Sequence, residues 1–243
     1  MGNSIKNQLA VITGGGGGIG RAIALKLALA GAKIVLLGGN NLEKLQCVYA
    51  EVKKHADCLM LPGDLTDQTF IKQSVTEIIQ TCGGIDILIN NAGVAQNRAF
   101  EDITLEEFDK IMAINLRVPF MLIQQVLPAL KKSSAAAIVN IASVVAHAGY
   151  PQQSIYTASK HALLGMTKSI ASEYYKDNIR VHAISPGGVY TDMVKISRPD
   201  LSPEGMILPE DVAETVHFLL TCRTNAVIDE IIMHRAGKEP FLV

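Results

Sequence analysis

One stretch near the start of the sequence decides the fold: the apolar run Leu9-Ala10-Val11-Ile12-Thr13, then Gly14-Gly15-Gly16-Gly17-Gly18-Ile19-Gly20, then Arg21-Ala22-Ile23-Ala24. The first run predicts a buried strand, and the last predicts the start of a helix. A turn without side chains between them lets backbone N–H groups approach a pyrophosphate at the helix N-terminus. A flexible glycine-rich connection is the alternative, but this position between strand and helix favours a dinucleotide-binding loop.

The composition of this loop alone does not show which of its glycines form the cofactor-binding motif. The glycines match GxGxxG at Gly15, Gly17 and Gly20. They also match TGxxxGxG at Thr13, Gly14, Gly18 and Gly20. Both patterns bring backbone to the pyrophosphate, so both predict the same kind of site.

Outward from the loop, short apolar runs alternate with longer helical stretches. Strands are predicted at residues 9–13, 33–37, 58–62, 85–90, 137–141, 180–184 and 227–233. Helices are predicted at residues 19–30, 42–55, 68–81, 108–131, 155–175 and 209–221. The strands are continuous apolar runs, which is typical of a parallel sheet covered on both faces. The pattern predicts an α/β fold, a Rossmann-like doubly wound parallel sheet of about seven strands flanked by helices on both faces, in one domain over residues 1–243.

Composition and charge exclude several classes of protein. Hydrophobic residues make up 49% of the 243 residues, which excludes a disordered chain. The formal net charge of -1 gives no electrostatic attraction for nucleic acid or an anionic membrane. We see no secretory signal and no apolar stretch of about 20 residues that would span a bilayer. The expected partner is a small molecule or another copy of the chain.

The cysteines and histidines suggest neither a disulfide framework nor a metal site. The sequence has six scattered histidines and four widely spaced cysteines without a CxxC pair: Cys47, Cys58, Cys82 and Cys222. A zinc site needs clustered ligands, and a chain of this size does not need disulfides to fold. We therefore expect reduced cysteines, no metal and a cytoplasmic location.

A tyrosine and a lysine share one face of a predicted helix. Tyr156 and Lys160 are four residues apart, and Ser143 closely follows the predicted strand at 137–141. The run Asn-Asn-Ala-Gly at 90–93 closes another predicted strand. Because ligands of doubly wound sheets bind at the carboxyl ends of the strands, these groups and the glycine loop are expected on one edge.

This combination of residue types suits carbonyl–alcohol chemistry. Free tyrosine has a pKa of about 10, and a neighbouring ammonium favours the phenolate. A serine hydroxyl can hold a carbonyl or hydroxyl oxygen beside the tyrosine. For Tyr156 and Lys160 alone, an exposed helix face is the simpler interpretation. Ser143 and the glycine loop favour catalysis instead.

Together these residues resemble the short-chain dehydrogenase/reductase family, in particular its single-domain branch that includes 3-oxoacyl-carrier-protein reductases. The resemblance covers residues 9–233 and rests on TGxxxGxG at 13–20, Asp64-Leu65-Thr66, the 90–93 run, Asn115, Ser143, Tyr156 with Lys160, and Pro186-Gly187 followed by Thr191. It implies the loop register Gly14, Gly18, Gly20. It also implies an oxidoreductase that transfers a hydride between a nicotinamide cofactor and a carbonyl or secondary alcohol, in the reductase direction. The alternatives are a non-catalytic dinucleotide-binding regulatory module and, more remotely, an epimerase or dehydratase.

The resemblance implies a role for each site residue. Tyr156 would be the general acid in reduction, and Lys160 would bind the nicotinamide ribose and lower the tyrosine pKa. Ser143 would orient the substrate oxygen, and Asn115 would hold a water that relays protons to Lys160. The dinucleotide would contact Gly14, Gly18, Ile19, Gly20, Asn40, Asp64, Leu65, Asn91, Ala92, Gly93, Tyr156, Lys160, Pro186, Gly187, Val189 and Thr191.

The usual cofactor-selecting side chains are missing. Relatives that use NADP often carry a basic residue at the position of Gly17 or Gly39, and relatives that use NAD often carry aspartate at the position of Gly38. All three positions are glycine here. Backbone amides and Asn40 or Asn41 could hold a 2′-phosphate, so NADP(H) is slightly favoured over NAD(H).

Two segments depart from the family pattern. Only seventeen residues, with Pro199, Pro203 and Gly205, separate Thr191 from Pro209, which predicts a short lid and an open site for a small substrate. An ordinary variable loop is the alternative. The last predicted strand lacks the usual Gly-Gln before it and Asp-Gly-Gly after it, which argues against the carrier-protein reductase itself.

Two helices carry many apolar and small residues. The resemblance implies that helices 108–131 and 155–175 pair across a two-fold axis into a homotetramer or a homodimer. Packing within one subunit is the alternative interpretation of the same residues.

Overall fold

A parallel sheet forms the centre of the molecule, which a computed structural model describes at residues 4–39, 41–192, 194 and 202–238. Its strands are β1 (Leu9–Thr13), β2 (Lys33–Leu37), β3 (Cys58–Leu61), β4 (Ile87–Asn90), β5 (Ala137–Ile141), β6 (Arg180–Pro186) and β7 (Glu230–Met233). Within these described ranges the sheet has seven strands in the order β3-β2-β1-β4-β5-β6-β7, and every neighbouring pair is parallel. The order reverses between β1 and β4, the place where such sheets bind ligands.

Helices connect the strands and cover the sheet. In the described part of the chain they are α1 (Gly18–Leu29), α2 (Leu42–Val52), α3 (Gln68–Cys82), α4 (Leu105–Met112), α5 (Val118–Leu130), α6 (Ser154–Tyr174) and α7 (Pro209–Thr221). Short 3-10 turns lie at Phe100–Asp102, Val144–Ala146 and Tyr175–Asp177, and a π turn at Ala113–Arg117 joins α4 to α5.

Hydrophobic cores lie on both faces of the sheet. Successive strand residues point to opposite faces, so Ala10 and Ile12 pack with α1, α2 and α7, whereas Leu9 and Val11 pack with α3 and α5. Helix α6 joins the second core through Met166, Ile170 and neighbouring residues. The predicted doubly wound parallel sheet is confirmed.

The predicted element bounds are correct where the local signal is strong. Strands at 9–13, 33–37 and 137–141 and the helix at 209–221 have the bounds expected. The single helix expected at 108–131 is wrong in two respects. It begins earlier, because Thr104 and Glu107 form a capping box, and the π turn interrupts it. The last strand begins at Glu230 rather than at 227, because Arg180 holds the carbonyls of Cys222, Thr224 and Ala226 in a loop.

The segment from α4 through α5 corrects the expectation about membrane-spanning stretches. Leu105–Leu130 is one helical segment of 26 residues that is long and apolar enough to cross a membrane by length and composition. In this fold its apolar side packs on the sheet, where Val118, Leu122, Val126 and Leu130 are buried in the second core. The segment therefore behaves as a core helix.

Part of the expected substrate lid and one expected cofactor residue lie outside the described residues. These are 193, 195–201 and Asn40. The chain beyond them is anchored, because Tyr190 N–H donates to Ile207 and Ile207 N–H donates to Gly188, at 2.8 and 3.3 Å. The lid prediction therefore stays a prediction.

Candidate active site

The backbone of the glycine loop selects one of the two possible registers. Gly14 and Gly18 have φ of 66° and 51°, the left-handed region that favours glycine. A Cβ on Gly20 would lie 2.2 Å from the carbonyl oxygen of Gly14, so no side chain fits there. Gly17 has an extended φ of 173° and open space around it. The backbone therefore requires glycine in the TGxxxGxG register.

Thr13 and Asn91 lock the loop to the neighbouring strand. The hydroxyl of Thr13 accepts hydrogen bonds from the N–H groups of Asn91 and Ala92, both at 3.0 Å. The side-chain amide of Asn91 donates to the carbonyls of Thr13 and Gly14 at 3.0 and 3.2 Å. The carboxyl ends of β1 and β4 are thereby fixed side by side, beside the reversal point of the sheet.

The other expected cofactor residues surround the same edge. Asp64 accepts hydrogen bonds from the backbone N–H and hydroxyl of Thr66, which lower the pKa of its carboxyl group. Leu65 is buried against Gly38, where a Cβ would lie 2.4 Å from the Leu65 side chain. Past the end of β6, Thr191 approaches Gly18 so closely that a Cβ on Gly18 would lie 3.2 Å from the Thr191 methyl group.

A cleft of about 530 Å³ borders the glycine loop, lined by Gly16–Gly18, the start of α2 and residues 190–192. Arg21 and Lys44 line it, but Arg21 lies 2.7 Å from a Glu51 oxygen, and Lys44 lies 3.2 Å from an Asp192 oxygen. Glu43 and Glu210 also line it. Because both basic side chains lie beside carboxylates and further carboxylates line the cleft, its charge alone does not favour binding of a 2′-phosphate.

Ser143, Tyr156 and Lys160 converge at the carboxyl end of β5. The Ser143 hydroxyl interacts with the Tyr156 phenol closely enough to lower the pKa of the phenol. The Lys160 ammonium lies 5.8 Å from the centre of the Tyr156 ring and donates to the carbonyl of Ile141 at 2.8 Å. Three elements, β5, the turn after it and α6, therefore bring together the residues that the sequence predicted as catalytic.

Burial controls the ionisation of this cluster. Burial raises the pKa of Tyr156, and its hydrogen bond with Ser143 offsets only part of that rise. Burial lowers the pKa of Lys160 from 10.5 to about 8. The sequence argument that the ammonium would bring the phenol toward neutral pH is therefore outweighed here by desolvation.

Asn115 lies in the π turn and is fully buried. Its side-chain oxygen accepts from the N–H of Val94 at 2.9 Å, and its amide donates to the Val94 carbonyl at 2.9 Å and to the Ser159 hydroxyl at 3.0 Å. These hydrogen bonds occupy the side chain of Asn115. A water that relays protons at Asn115 would therefore have to bind its main chain. A Cβ on Gly93 would lie 3.3 Å from the Asn115 oxygen and 3.6 Å from the Lys160 ammonium, which brings these three residues together.

Sequence reasoning missed Gln96. This residue is 8% exposed, and its side-chain oxygen accepts from the N–H groups of Ile155 and Tyr156 at 2.9 and 3.4 Å. A single glutamine in a loop gives no periodic or motif signal. Only the tertiary structure places it beside the backbone of Tyr156.

The site fits a dinucleotide and offers no metal centre among the described residues. Glycine at 14, 18 and 20 leaves backbone uncovered at the N-terminus of α1, which is suited to a pyrophosphate. Within residues 4–39, 41–192, 194 and 202–238, no group of three or more His, Cys, Asp or Glu side chains could hold a metal ion.

Fold and site define a dinucleotide-dependent oxidoreductase built on a doubly wound sheet. The sequence profile for short chain dehydrogenase matches residues 8–202. The chain belongs to the short-chain dehydrogenase family, and its reaction is hydride transfer between a nicotinamide cofactor and a carbonyl or secondary alcohol. The alternative, a regulatory module without activity, is disfavoured.

Several relatives resemble the chain over most of its length. Levodione reductase of Leifsonia aquatica is 37% identical over 86% of this chain and 78% of its own. The 3-oxoacyl-[acyl-carrier-protein] reductase FabG of Staphylococcus aureus is 31% identical over 94% of this chain and 96% of its own. A crystal structure of a short chain dehydrogenase from Burkholderia cenocepacia in complex with NADP is 27% identical, with a TM-score of 0.87 over 97% of this chain and 99% of that chain.

Proposed function

We propose that this enzyme reduces a small carbonyl substrate, with Tyr156 as the general acid. The observation that carries the proposal is the convergence of Ser143, Tyr156 and Lys160 beside the glycine loop. A bound nicotinamide supplies the hydride to the carbonyl carbon. Tyr156 gives its hydroxyl proton to the carbonyl oxygen, and Ser143 holds that oxygen by a hydrogen bond.

Lys160 supports the proton transfer electrostatically. Its pKa of about 8 leaves it mostly protonated at pH 7, so an ammonium faces the phenol when Tyr156 gives up its proton. The buried setting makes this charge more effective than it would be in water. In the reverse reaction the phenolate takes the proton from an alcohol.

We propose that the pyrophosphate lies at Gly14, Gly18, Ile19 and Gly20. The adenosine would lie by Asp64, Leu65 and Ala92, and the nicotinamide end by Asn91, Gly93, Pro186, Gly187, Val189 and Thr191. Support comes from the approach of Gly18 to Thr191 and from the lock between Thr13 and Asn91.

We propose a slight preference for NADP(H) over NAD(H). Gly38 has a φ of 76° and no room for a Cβ against Leu65, so the carboxylate that would repel a 2′-phosphate is excluded by the backbone. Titration of bound-cofactor fluorescence with NADPH and NADH measures the two dissociation constants. Tighter binding of NADH would overturn the preference.

The substrate class is best tested with a panel. Ketones, aldehydes, levodione, a 3-oxoacyl thioester and a steroid ketone would each be assayed with NADPH and NADH at several concentrations. We expect turnover of a small ketone above that of a long-chain thioester. Failure of every carbonyl compound with both cofactors would contradict the proposal.

We propose that residues 1–243 form one domain of a cytoplasmic enzyme that assembles into a homotetramer or homodimer. The four cysteines are free, in keeping with a reducing compartment. A groove of about 750 Å³ on the outer side of α4 and α5 is bordered by Met112, Leu116, Phe120 and Met166. Phe120 is 50% exposed, which suits an apolar contact with a second copy.

A further inference from the structure

Gln96 caps the helix that carries the catalytic tyrosine. It lies in the loop after β4, and its side-chain oxygen accepts hydrogen bonds from the first-turn N–H groups of Ile155 and Tyr156. The residue directly before α6, Gln153, makes no side-chain capping bond. Because the first N–H groups of a helix have no partner within it, Gln96 supplies from 59 residues away the cap that the local sequence lacks.

The loop that holds Gln96 is itself fixed. Asn115 holds both backbone groups of Val94, and the N–H of Arg98 donates to the carbonyl of Gln152 at 2.9 Å. Gln96 lies between these two anchors and is 8% exposed. Its side chain therefore has a defined position from which to hold α6.

The start of α6 matters because Tyr156 is its third residue. The phenol meets the Ser143 hydroxyl, which belongs to the turn after β5. A shift of the first turn of α6 would move the phenol relative to the Ser143 hydroxyl without changing either residue. A displacement of about 1 Å in a reacting group can lower a rate by about 100-fold.

We propose, on the basis of the proposed function, that Gln96 is the positioning residue for Tyr156. Its oxygen fixes the helix start, and its neutral amide does so without placing a negative charge at the start of the helix that carries Tyr156. The amide nitrogen is buried and has no hydrogen-bond partner among the described residues, so the contacts that its amide makes run through the oxygen. A glutamate would provide the same acceptor but would disfavour the phenolate.

Two variants separate the effect of the hydrogen-bond acceptor at residue 96 from the effect of a charge there. Gln96→Met keeps the length of the side chain and removes the acceptor, and Gln96→Glu keeps the acceptor and adds charge. In alcohol oxidation, which needs the phenolate, we expect the high-pH plateau of kcat to fall about 10- to 100-fold in Gln96→Met. We expect Gln96→Glu to keep a plateau at least about 5-fold above that of Gln96→Met, with its pH midpoint moved upward. Asn97→Ala is the matched control, because Asn97 is exposed and its side chain has no hydrogen bond to another residue that the structure describes.

A second measurement does not depend on turnover. Amide hydrogen exchange at residues 155 and 156 should be faster in Gln96→Met than in the wild type and slow again in Gln96→Glu. If Gln96→Met keeps the wild-type plateau of kcat, the wild-type pH midpoint and the wild-type rate of amide exchange, the positioning role is overturned. An equal fall in the kcat plateau of both variants, with lower melting temperatures and no change of the pH midpoint, would also overturn it. Absence of turnover in the wild type would instead count against the proposed function, and exchange would still decide the role of Gln96.

Discussion

At the scale of single residues, the proposed chemistry depends on the Tyr156 phenol and the Lys160 ammonium. Burial favours the neutral form of each, so it raises the pKa of Tyr156 and lowers that of Lys160. A protonated Tyr156 suits proton donation to a carbonyl, whereas alcohol oxidation needs the phenolate. The site as built therefore suits the reductive direction.

Replacing Tyr156 by phenylalanine removes the hydroxyl that we propose as the proton donor and keeps the aromatic ring. We expect carbonyl reduction to fall by about 10²- to 10⁴-fold, the range for loss of a general acid. The ring should still fill its place, so cofactor binding should change by less than about 2-fold. Steady-state kinetics and cofactor fluorescence measure the two effects, and a variant with wild-type turnover would exclude Tyr156 as the donor.

Lys160 should make stability rise with pH in the alkaline range. In the unfolded chain its pKa is near 10.5, and in the fold it is about 8, so between these values the unfolded state binds more protons. The free energy of unfolding therefore increases as pH rises from about 8 to 10.5, by about 3 kcal/mol from this group. Below pH 8 Lys160 is also charged in the folded state, and the desolvation of that charge lowers the free energy of unfolding by the full amount.

The comparison with Lys160→Met isolates this effect from other titrating groups. Urea unfolding at pH 7 and pH 10 gives the free energy of each protein. We expect the wild type to gain stability relative to Lys160→Met between these values. If the difference in free energy of unfolding between the two proteins were the same at pH 7 and pH 10, Lys160 would have a normal pKa in the fold.

At the scale of elements, we expect the turn into α1 to influence cofactor choice. Gly17 is extended and faces open space, so Gly17→Arg should be accommodated, whereas Gly20→Ala would collide with the Gly14 carbonyl. We expect Gly17→Arg to raise the ratio of kcat/KM for NADPH over NADH by about 10-fold, as one charge-assisted hydrogen bond would. Gly17→Gln is the neutral control, and an equal change in both variants would exclude a charge effect.

The π turn that carries Asn115 also stabilises the fold. Asn115→Ala would leave both backbone groups of Val94 and the Ser159 hydroxyl without their buried partner. We expect the free energy of unfolding to fall by about 2 to 4 kcal/mol in urea titrations. Asn97→Ala, exposed on the adjoining loop, should change it by less than about 0.5 kcal/mol. Equal stabilities would contradict the assigned network.

At the scale of the whole molecule, the sheet is buried by helices on both faces, yet α5 also presents apolar surface outward. Phe120 is 50% exposed beside the groove on α4 and α5. If this face joins two copies, Phe120→Glu should lower the mass measured by sedimentation to that of a smaller assembly. Leu29→Glu, 66% exposed on α1, is the matched control and should leave the assembly intact. A wild-type protein that sediments as a monomer would contradict the proposal.

The sequence by itself determined the parallel sheet and, to within a few residues, most of its elements, and it predicted which residues form the site. Apolar runs, glycines at 14 to 20 and the spacing of Tyr156 and Lys160 are local signals, because strand burial, tight turns and helix faces depend on neighbours in the chain. Those signals were enough to predict which residues gather at one edge.

The tertiary structure alone decided how these residues interact. The π turn at Asn115, the reach of Gln96 to α6 and the collision that excludes a side chain at Gly38 all join residues distant in sequence. The pKa of Lys160 likewise depends on the burial that surrounding elements impose. Such effects arise from long-range packing and desolvation, for which a single sequence carries no periodic signal.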